Sequence, residues 1–188
     1  IDTRHPEYLQ FAPIWRECAD ALAGQRVIRA ADERYLPKTS GMAKNQDGEA
    51  AYTAYKSRAR FFDVPAESQE GAMGVLEFPS GDDVVTNNGL TVRQLAREVA
   101  RAVYAKGRHI LVIEANNGTP YVVQYSAEEL INWKTDENDS LSLAVFRETI
   151  ASADEYEHGT EEEQFRAYKP DGVELDGDMH PVAYYLHT

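Results

Sequence analysis

The chain has one cysteine, no long apolar run and few basic residues in its C-terminal part. A lone cysteine, Cys18, excludes an intramolecular disulfide and a zinc site built from cysteines. Uncharged apolar stretches such as residues 110–113 are far shorter than the about 20 residues that a membrane span needs. No basic, apolar signal-peptide pattern stands at the start of the sequence. We therefore expect a soluble protein with a reduced cysteine and no membrane partner.

Basic residues are scarce in only one half of the sequence. Residues 1–110 hold 15 basic and 15 acidic side chains, whereas residues 111–188 hold four basic and 17 acidic ones, which gives the net charge of −13. Affinity for nucleic acid rests mainly on Lys and Arg replacing counterions at phosphates. Residues 111–188 are therefore not expected to bind duplex DNA at physiological salt.

Helical spacing of apolar residues dominates the first half. We expect the side chains of Tyr8, Phe11, Trp15 and Leu22 to be buried against the chain or a neighbouring subunit. Residues 38–48 and 79–89 are expected to be loops by composition. The first predicted helix covers residues 6–23; Cys18 shares its apolar stripe, and Pro13 is expected to kink or restart it. The next covers residues 26–33, and a third carries Tyr52, Tyr55, Ala59 and Phe62. Two more are expected, from Pro65 to about Leu76 and from a Thr91–Gln94 capping box to Gly107.

Beyond Gly107 the apolar residues alternate or form short runs, which is typical of strands. The predicted elements are strands 109–114 and 121–125 around a turn at 116–119, a short helical turn from Ser126 to Glu129, a strand at 141–150, and weaker strands at 165–168 and 182–186. Strands that follow one another without intervening helices favour an antiparallel meander. The predicted fold class is α+β, with N-terminal helices (residues 1–107) followed by an acidic antiparallel β-meander (residues 108–188) in one domain.

Known catalytic motifs are missing from the sequence. There is no P-loop, no dinucleotide-binding glycine pattern, no G-x-S-x-G and no H-E-x-x-H. An acidic run at 154–157 and 161–163 lacks the ordered spacing of a calcium loop, which favours a solvated loop. Cys18 lies on an apolar helix stripe, which favours a core residue over a nucleophile. Five histidines are never paired at metal-ligand spacing: His5, His109, His158, His180 and His187. We expect no catalytic residue, no cofactor and no metal.

Several short motifs have structural explanations. The sequence at 36–41 approaches a sortase signal but has an extra Ser, so we interpret it as a loop. Sequons at Asn117 and Asn138 are interpreted as turn residues. Trp15 and Trp133 lie on apolar faces, which favours a core or interface position over a ligand pocket.

Three stretches, taken in their order, resemble a known family. They are residues 20–24 with 35–41 and 52–59; residues 107–108 running into strand 110–113; and residues 120–125 with 129–133 and then Arg147 and Glu148. In this order they resemble the portal-like family encoded by tailed bacteriophages and prophages, over most of residues 5–170. The Pro-Tyr strand followed by Ile131, Asn132 and Trp133 is the most specific part.

The resemblance implies a structural protein and not an enzyme. Portal subunits form a ring at one capsid vertex, through which a separate terminase ATPase packages DNA and through which DNA leaves at infection. The implied partners are further copies of the chain in a ring, with a dodecamer expected, the capsid protein, terminase and a head–tail adaptor, with DNA only as non-specific cargo. The implied location is the virion, and the host cytoplasm during assembly. The fold is expected to be wing-like, and the chain is expected to be an excerpt, or only the ordered part, of a longer portal polypeptide, with stem and clip outside the assignment.

Two other classes remain open at this point. One is another phage head-assembly or adaptor protein with the same α+β layout. The other is a hydrolase whose carboxylates converge only in the fold, for which a buried carboxylate pair of perturbed pKa in a cleft would be the sign.

Overall fold

A computed structural model describes residues 3–44, 47–116, 118–138, 140–151, 161–169, 172–175 and 178–180. Helices come first along the chain and strands second, which confirms the α+β class. The helices are α1 (Pro6–Ala23), α2 (Gln25–Ala30), a short 3-10 helix (Asp32–Arg34), α3 (Ser40–Lys44), α4 (Gly48–Arg58), α5 (Val64–Val75) and α6 (Val92–Lys106). The strands are β1 (Ile110–Asn116), β2 (Thr119–Tyr125), β3 (Leu130–Thr135), β4 (Leu141–Ala151), β5 (Glu161–Lys169), β6 (Gly172–Leu175) and β7 (Asp178–His180).

The strands form two antiparallel sheets. β1 and β2 make a hairpin in which Asn116 pairs with Thr119, so the connection has two residues, and Gly118 adopts the left-handed conformation that such turns require. β3, β4, β5, β6 and β7 are neighbours in chain order. The predicted meander is therefore confirmed.

The meander buries side chains on both of its faces, because successive residues of a strand point to opposite sides. One face packs against the β1–β2 hairpin through Ala144, Phe146 and Tyr168. The opposite face packs against the first half of α1 through Val145 and Ala167. The result is a layered core, with the hairpin on one side of the sheet and a helix on the other.

The chain divides into two compact units. The first unit consists of Ile1–Trp15 and Glu77–Thr188, and the second unit is Arg16–Leu76. The boundaries fall within α1 and after α5, whereas the change from helix to strand falls between α6 and β1. The prediction that residues 1–107 and 108–188 are parts of one domain stays a prediction.

Helix α6 follows the sequence signals closely. Thr91 Oγ1 accepts a hydrogen bond from Gln94 N, and Gln94 Oε1 accepts one from Thr91 N, so the predicted capping box is present. Gly107 ends the helix in the left-handed conformation, with its N–H bonded to Val103 O.

The apolar stripe of α1 is narrower than predicted. Tyr8 and Trp15 are buried, as expected, but Phe11 remains 41% exposed while it stacks on Trp15. Ala12 lies between the two buried aromatic residues and packs against the same cluster. Pro13 lies within α1, which continues past it without a restart.

Residues 38–48 contain a helix where a loop was predicted. Ala43 N donates to Thr39 O and opens the single turn of α3. Gly48 is buried at the start of α4, where a Cβ would lie 1.8 Å from Met42 O. The glycine that suggested a loop thus permits a close contact between two helices.

Helix α4 is shorter than the apolar spacing predicted. It ends at Arg58, Ala59 is extended, and Phe62 is 77% exposed instead of lying on the stripe. The Arg29 side chain donates to the carbonyl oxygens of Ser57 and Ala59, which satisfies groups that the end of a helix leaves unpaired.

The C-terminal sheet is larger than predicted. Residues 126–129 form one hydrogen-bonded turn instead of a helical turn, although Glu129 still accepts from Ser126 N as a capping residue would. Residues 131–133 belong to β3, and β5 begins at Glu161 instead of residue 165. Strands β6 and β7 were not predicted. The predicted strand at 182–186 lies outside the described residues.

Candidate functional site

A polar cleft of about 380 Å³ opens in the first unit beside β2. The segment before α6 forms one wall, where Val122 N donates to Val85 O and Thr86 pairs with Val122 in a parallel bridge. Thr86 is buried, and its Oγ1 accepts from Leu90 N, which holds the segment in a tight turn. The polar lining includes Asn87, Asn88, Glu114, Tyr121, Glu148 and Arg166.

Three strands bring two carboxylates to one guanidinium. Glu114 lies on β1, Glu148 on β4 and Arg166 on β5. Arg166 Nη1 is 2.8 Å from Glu114 Oε1. Arg166 Nε is 3.0 Å from Glu148 Oε1, which is close enough for an ion pair, but the angle of this second contact is not that of a hydrogen bond. Because Glu114 belongs to the hairpin and the other two belong to the meander, Arg166 links the two sheets.

Tyrosine hydroxyls complete the cluster, which we call the Glu–Arg–Tyr network (Glu114, Glu148, Arg166, Tyr121, Tyr125 and Tyr168). Tyr121 donates to Glu114 Oε2 at 2.6 Å, and Tyr168 donates to Glu114 Oε1. Tyr125 donates to Glu148 Oε1 at 2.6 Å, while the Gln164 amide donates to Glu148 Oε2. Every carboxylate oxygen of the pair therefore accepts a hydrogen bond from a side chain of the same unit.

The network keeps its tyrosines protonated. The hydrogen bond to Glu114, with burial, raises the pKa of Tyr121 to about 12. Burial, the adjacent Tyr168 and the bond to Glu148 raise the pKa of Tyr125 above its ordinary value, and burial with the bond to Glu114 does the same for Tyr168. Burial alone would lower the pKa of Arg166, but the neighbouring Tyr125, Glu148 and Tyr168 together outweigh it, so this pKa is raised. At neutral pH the hydroxyls are donors and the guanidinium is charged.

Alkaline pH is expected to destabilise the folded chain through Tyr121. Its folded pKa of about 12 exceeds the unfolded value of about 10, so its contribution is complete below pH 10 and is lost between about pH 10 and 12. Tyrosinate absorbance of wild type and Tyr121→Phe, recorded against pH, measures the pH at which Tyr121 loses its proton. The variant should lack one group that titrates near pH 12. A variant that lacks a group titrating near pH 10 would contradict the assignment.

A second cluster surrounds Arg108. Its guanidinium carbon lies 4.3 Å from the ring centre of Trp15 and 4.9 Å from that of Trp133. Arg108 Nη2 donates to Ala127 O at 2.8 Å and to Leu130 O at 3.1 Å, and burial lowers the pKa of Arg108. Both tryptophans pack in the core around this arginine, as the sequence predicted.

Replacing Arg108 by Lys is expected to lower the free energy of unfolding by about 1.5–3 kcal/mol. A lysine ammonium does not stack between two indole rings and does not reproduce the fixed fork of donors. Urea denaturation followed by tryptophan fluorescence measures the change. The control is Arg16→Lys on the exposed side of α1, which should stay within about 0.5 kcal/mol of wild type. Equal effects of the two substitutions would contradict the structural role of Arg108.

The remaining candidate residues do not converge. Cys18 is half-buried in α1. Within the described ranges, no three His, Cys, Asp or Glu side chains come together as a metal site. His5 stacks on Trp133, and His109 Nε2 contacts the Gln124 amide oxygen. His158, His187 and the acidic run at 154–157 lie outside the described residues, as does the side chain of His180.

The Glu–Arg–Tyr network was missed in the sequence, although one signal was present. Glu114 has the same strand parity as Ile110 and Val112, and alternate residues of β1 are buried. An acidic residue at a buried strand position needs a partner, which is Arg166 on β5.

The comparisons with known proteins add no relative: no protein-family model matches the chain, and a search of curated proteins finds no match. Among the described residues, no helix combines the length and apolar character that crossing a membrane requires.

Proposed function

We propose that this chain is a structural subunit of a phage portal ring at the capsid vertex, in the wing-side part of the subunit. The observation that carries the proposal is the set of large apolar side chains that are exposed in the described part of the chain. Among the large side chains exposed by more than 40% are Leu9, Phe11, Ile14, Phe62, Val64, Val75, Leu76, Val84, Val103 and Tyr104. Exposed apolar side chains that lie together indicate a contact with another protein, whereas scattered single ones do not.

Helix α5 and its flanks show this most clearly. Val64 is 59% exposed and Val75 is 82% exposed. They are 11 residues apart, which is close to three helical turns, so they lie on the same face. Phe62 precedes the helix at 77% exposure and Leu76 follows it at 48%. A subunit contact would remove these side chains from water.

Exposed apolar side chains indicate only that the chain contacts other proteins. The resemblance to portal-like proteins specifies that contact as the one between subunits of a ring. Tyr125, Ile131 and Trp133 belong to the stretches that carry it, and all three pack in the core clusters of the first unit. The likeness therefore involves residues that determine this fold, not only surface residues.

Native mass spectrometry of the full-length protein tests the proposal. We expect a single ring stoichiometry, with twelve copies as the portal expectation. A monomer or a dimer at all concentrations would contradict it. A different ring number, with binding to a head protein other than terminase, would favour the head-assembly or adaptor alternative.

A further inference from the structure

Helix α6 has two chemically opposite faces. Leu95 is buried, with Val92 and Val99 half-buried beside it. The other side carries the α6 basic face, which consists of Arg93, Arg97, Arg101 and Tyr104, all exposed. These residues follow one another at intervals of four, four and three, so they form one ridge along the helix. The three arginines span about 12 Å at 1.5 Å per residue.

The α6 basic face has the composition of a protein interface. Arg and Tyr are the residue types that recur at energetically important contact positions. Tyr104 is 48% exposed and the adjacent Val103 is 42% exposed, so apolar surface borders the guanidinium groups. The Arg97 guanidinium carbon lies 5.3 Å from the ring centre of Phe78, which holds that side chain against the protein. The capping box and Gly107 fix both ends of the helix. A helix backbone fixed in this way loses little entropy on binding.

A surface of opposite charge lies in the same chain, at the turn between β3 and β4. We call it the acidic turn (residues 136–140). Asp136 and Glu137 are exposed, and Asp139 follows them in the sequence. Asp136 Oδ1 accepts from the N–H groups of Asn138, at 2.8 Å, and Ser140, at 2.9 Å. Asp136 N donates to Ser140 O, which closes the turn. These hydrogen bonds join Asp136, Asn138 and Ser140 within one copy.

We infer that the α6 basic face of one copy docks on the acidic turn of a neighbouring copy. The inference rests on the proposed ring function, because two different patches on one chain make a head-to-tail contact, and such contacts generate rings when the rotation closes. At physiological salt the Debye length is about 8 Å, so facing charges attract while the remote negative charge of each copy is screened. A nucleic acid would extend beyond the face and meet the surface of a chain of net charge −13. Charge complementarity therefore favours a second copy as the occupant.

Charge reversal on the full-length protein tests the contact. The variant Arg93→Glu with Arg97→Glu is expected to weaken subunit association about 100-fold or more, because acidic groups then face the acidic turn. Glu137→Arg should weaken it by the same mechanism and leaves Asp136, which closes the turn, in place. The matched control is Arg16→Glu with Arg26→Glu, two exposed helical arginines of the second unit with the same change of net charge. Circular dichroism checks that each variant is folded.

Mixing the two defective proteins is the decisive step. The intact basic face of the Glu137→Arg protein still faces an intact acidic turn on the arginine variant, so an equimolar mixture should form mixed pairs that neither protein forms alone. Closed rings are not expected, because the reversed helix face would meet a turn that keeps Asp136 and Asp139. Rings of the arginine variant that match wild type would overturn the docking contact while leaving the portal proposal intact. Lost rings in both variants without mixed pairs in the mixture would overturn it as well, because the contact would lie elsewhere. Unchanged rings with loss of wild-type binding to duplex DNA would assign the face to nucleic acid. A wild-type protein without rings would overturn the portal proposal itself.

Discussion

Replacing Phe146 by Ala is expected to lower the free energy of unfolding of the first unit by about 3–5 kcal/mol. Phe146 is fully buried in β4, where the hairpin packs on the meander. Its ring stacks on Tyr125 with the ring centres 4.0 Å apart and meets Tyr168 edge-on at 5.4 Å. Truncation removes both aromatic contacts and leaves a cavity between two sheets that the Glu–Arg–Tyr network also holds together.

Chemical denaturation measures this loss. Trp15 and Trp133 both belong to the first unit, so their fluorescence follows its unfolding. Leu9→Ala is the control, since it removes a large apolar side chain of the same unit where that side chain is 57% exposed. It should change the free energy of unfolding by no more than about 0.5 kcal/mol. Similar effects of the two substitutions would show that the face assigned to Phe146 is wrong.

Replacing Glu114 by Ala is expected to cost a similar amount, about 3–5 kcal/mol. The reason is electrostatic, since the substitution removes the carboxylate that accepts from the buried Tyr168 hydroxyl and from the half-buried Arg166 guanidinium, which then has only Glu148 beside it among the described carboxylates. Glu114→Gln keeps the side-chain volume and one acceptor, so it should cost less than the alanine variant.

A surface ion pair of the same sheet provides the control. Glu163 is 61% exposed and lies 3.8 Å from Arg147 across β4 and β5. Glu163→Ala is expected to cost about 0–1 kcal/mol, because exposed pairs are weak and screened by salt. High salt should reduce this cost and leave the cost of Glu114→Ala almost unchanged. Equal salt dependence would contradict the burial assigned to the network.

Local signals made part of the fold predictable. The helix from Thr91 to Gly107 has a capping box at one end and a left-handed glycine at the other, and both contacts form within a few residues. The β1–β2 hairpin is equally local, because Gly118 permits the tight turn between two apolar strands. In both cases the residues that determine the structure lie next to one another in the sequence.

Contacts between distant residues were not predictable in the same way. Glu114 and Arg166 are 52 positions apart, and only the pairing of hairpin, β4 and β5 brings them together. Residues 38–48 were misjudged because Gly48, which suggested a loop, is needed for the close contact with Met42. Strands β6 and β7 contain charged and glycine residues with little apolar alternation, so sheet pairing, not local propensity, places them.

Electron microscopy of the full-length protein tests the central claim most directly. The portal proposal predicts ring-shaped particles with a central hole at moderate salt, and the docking contact adds that the Arg93→Glu/Arg97→Glu variant loses them. Particles the size of a single subunit, or assemblies without a central opening, would contradict it.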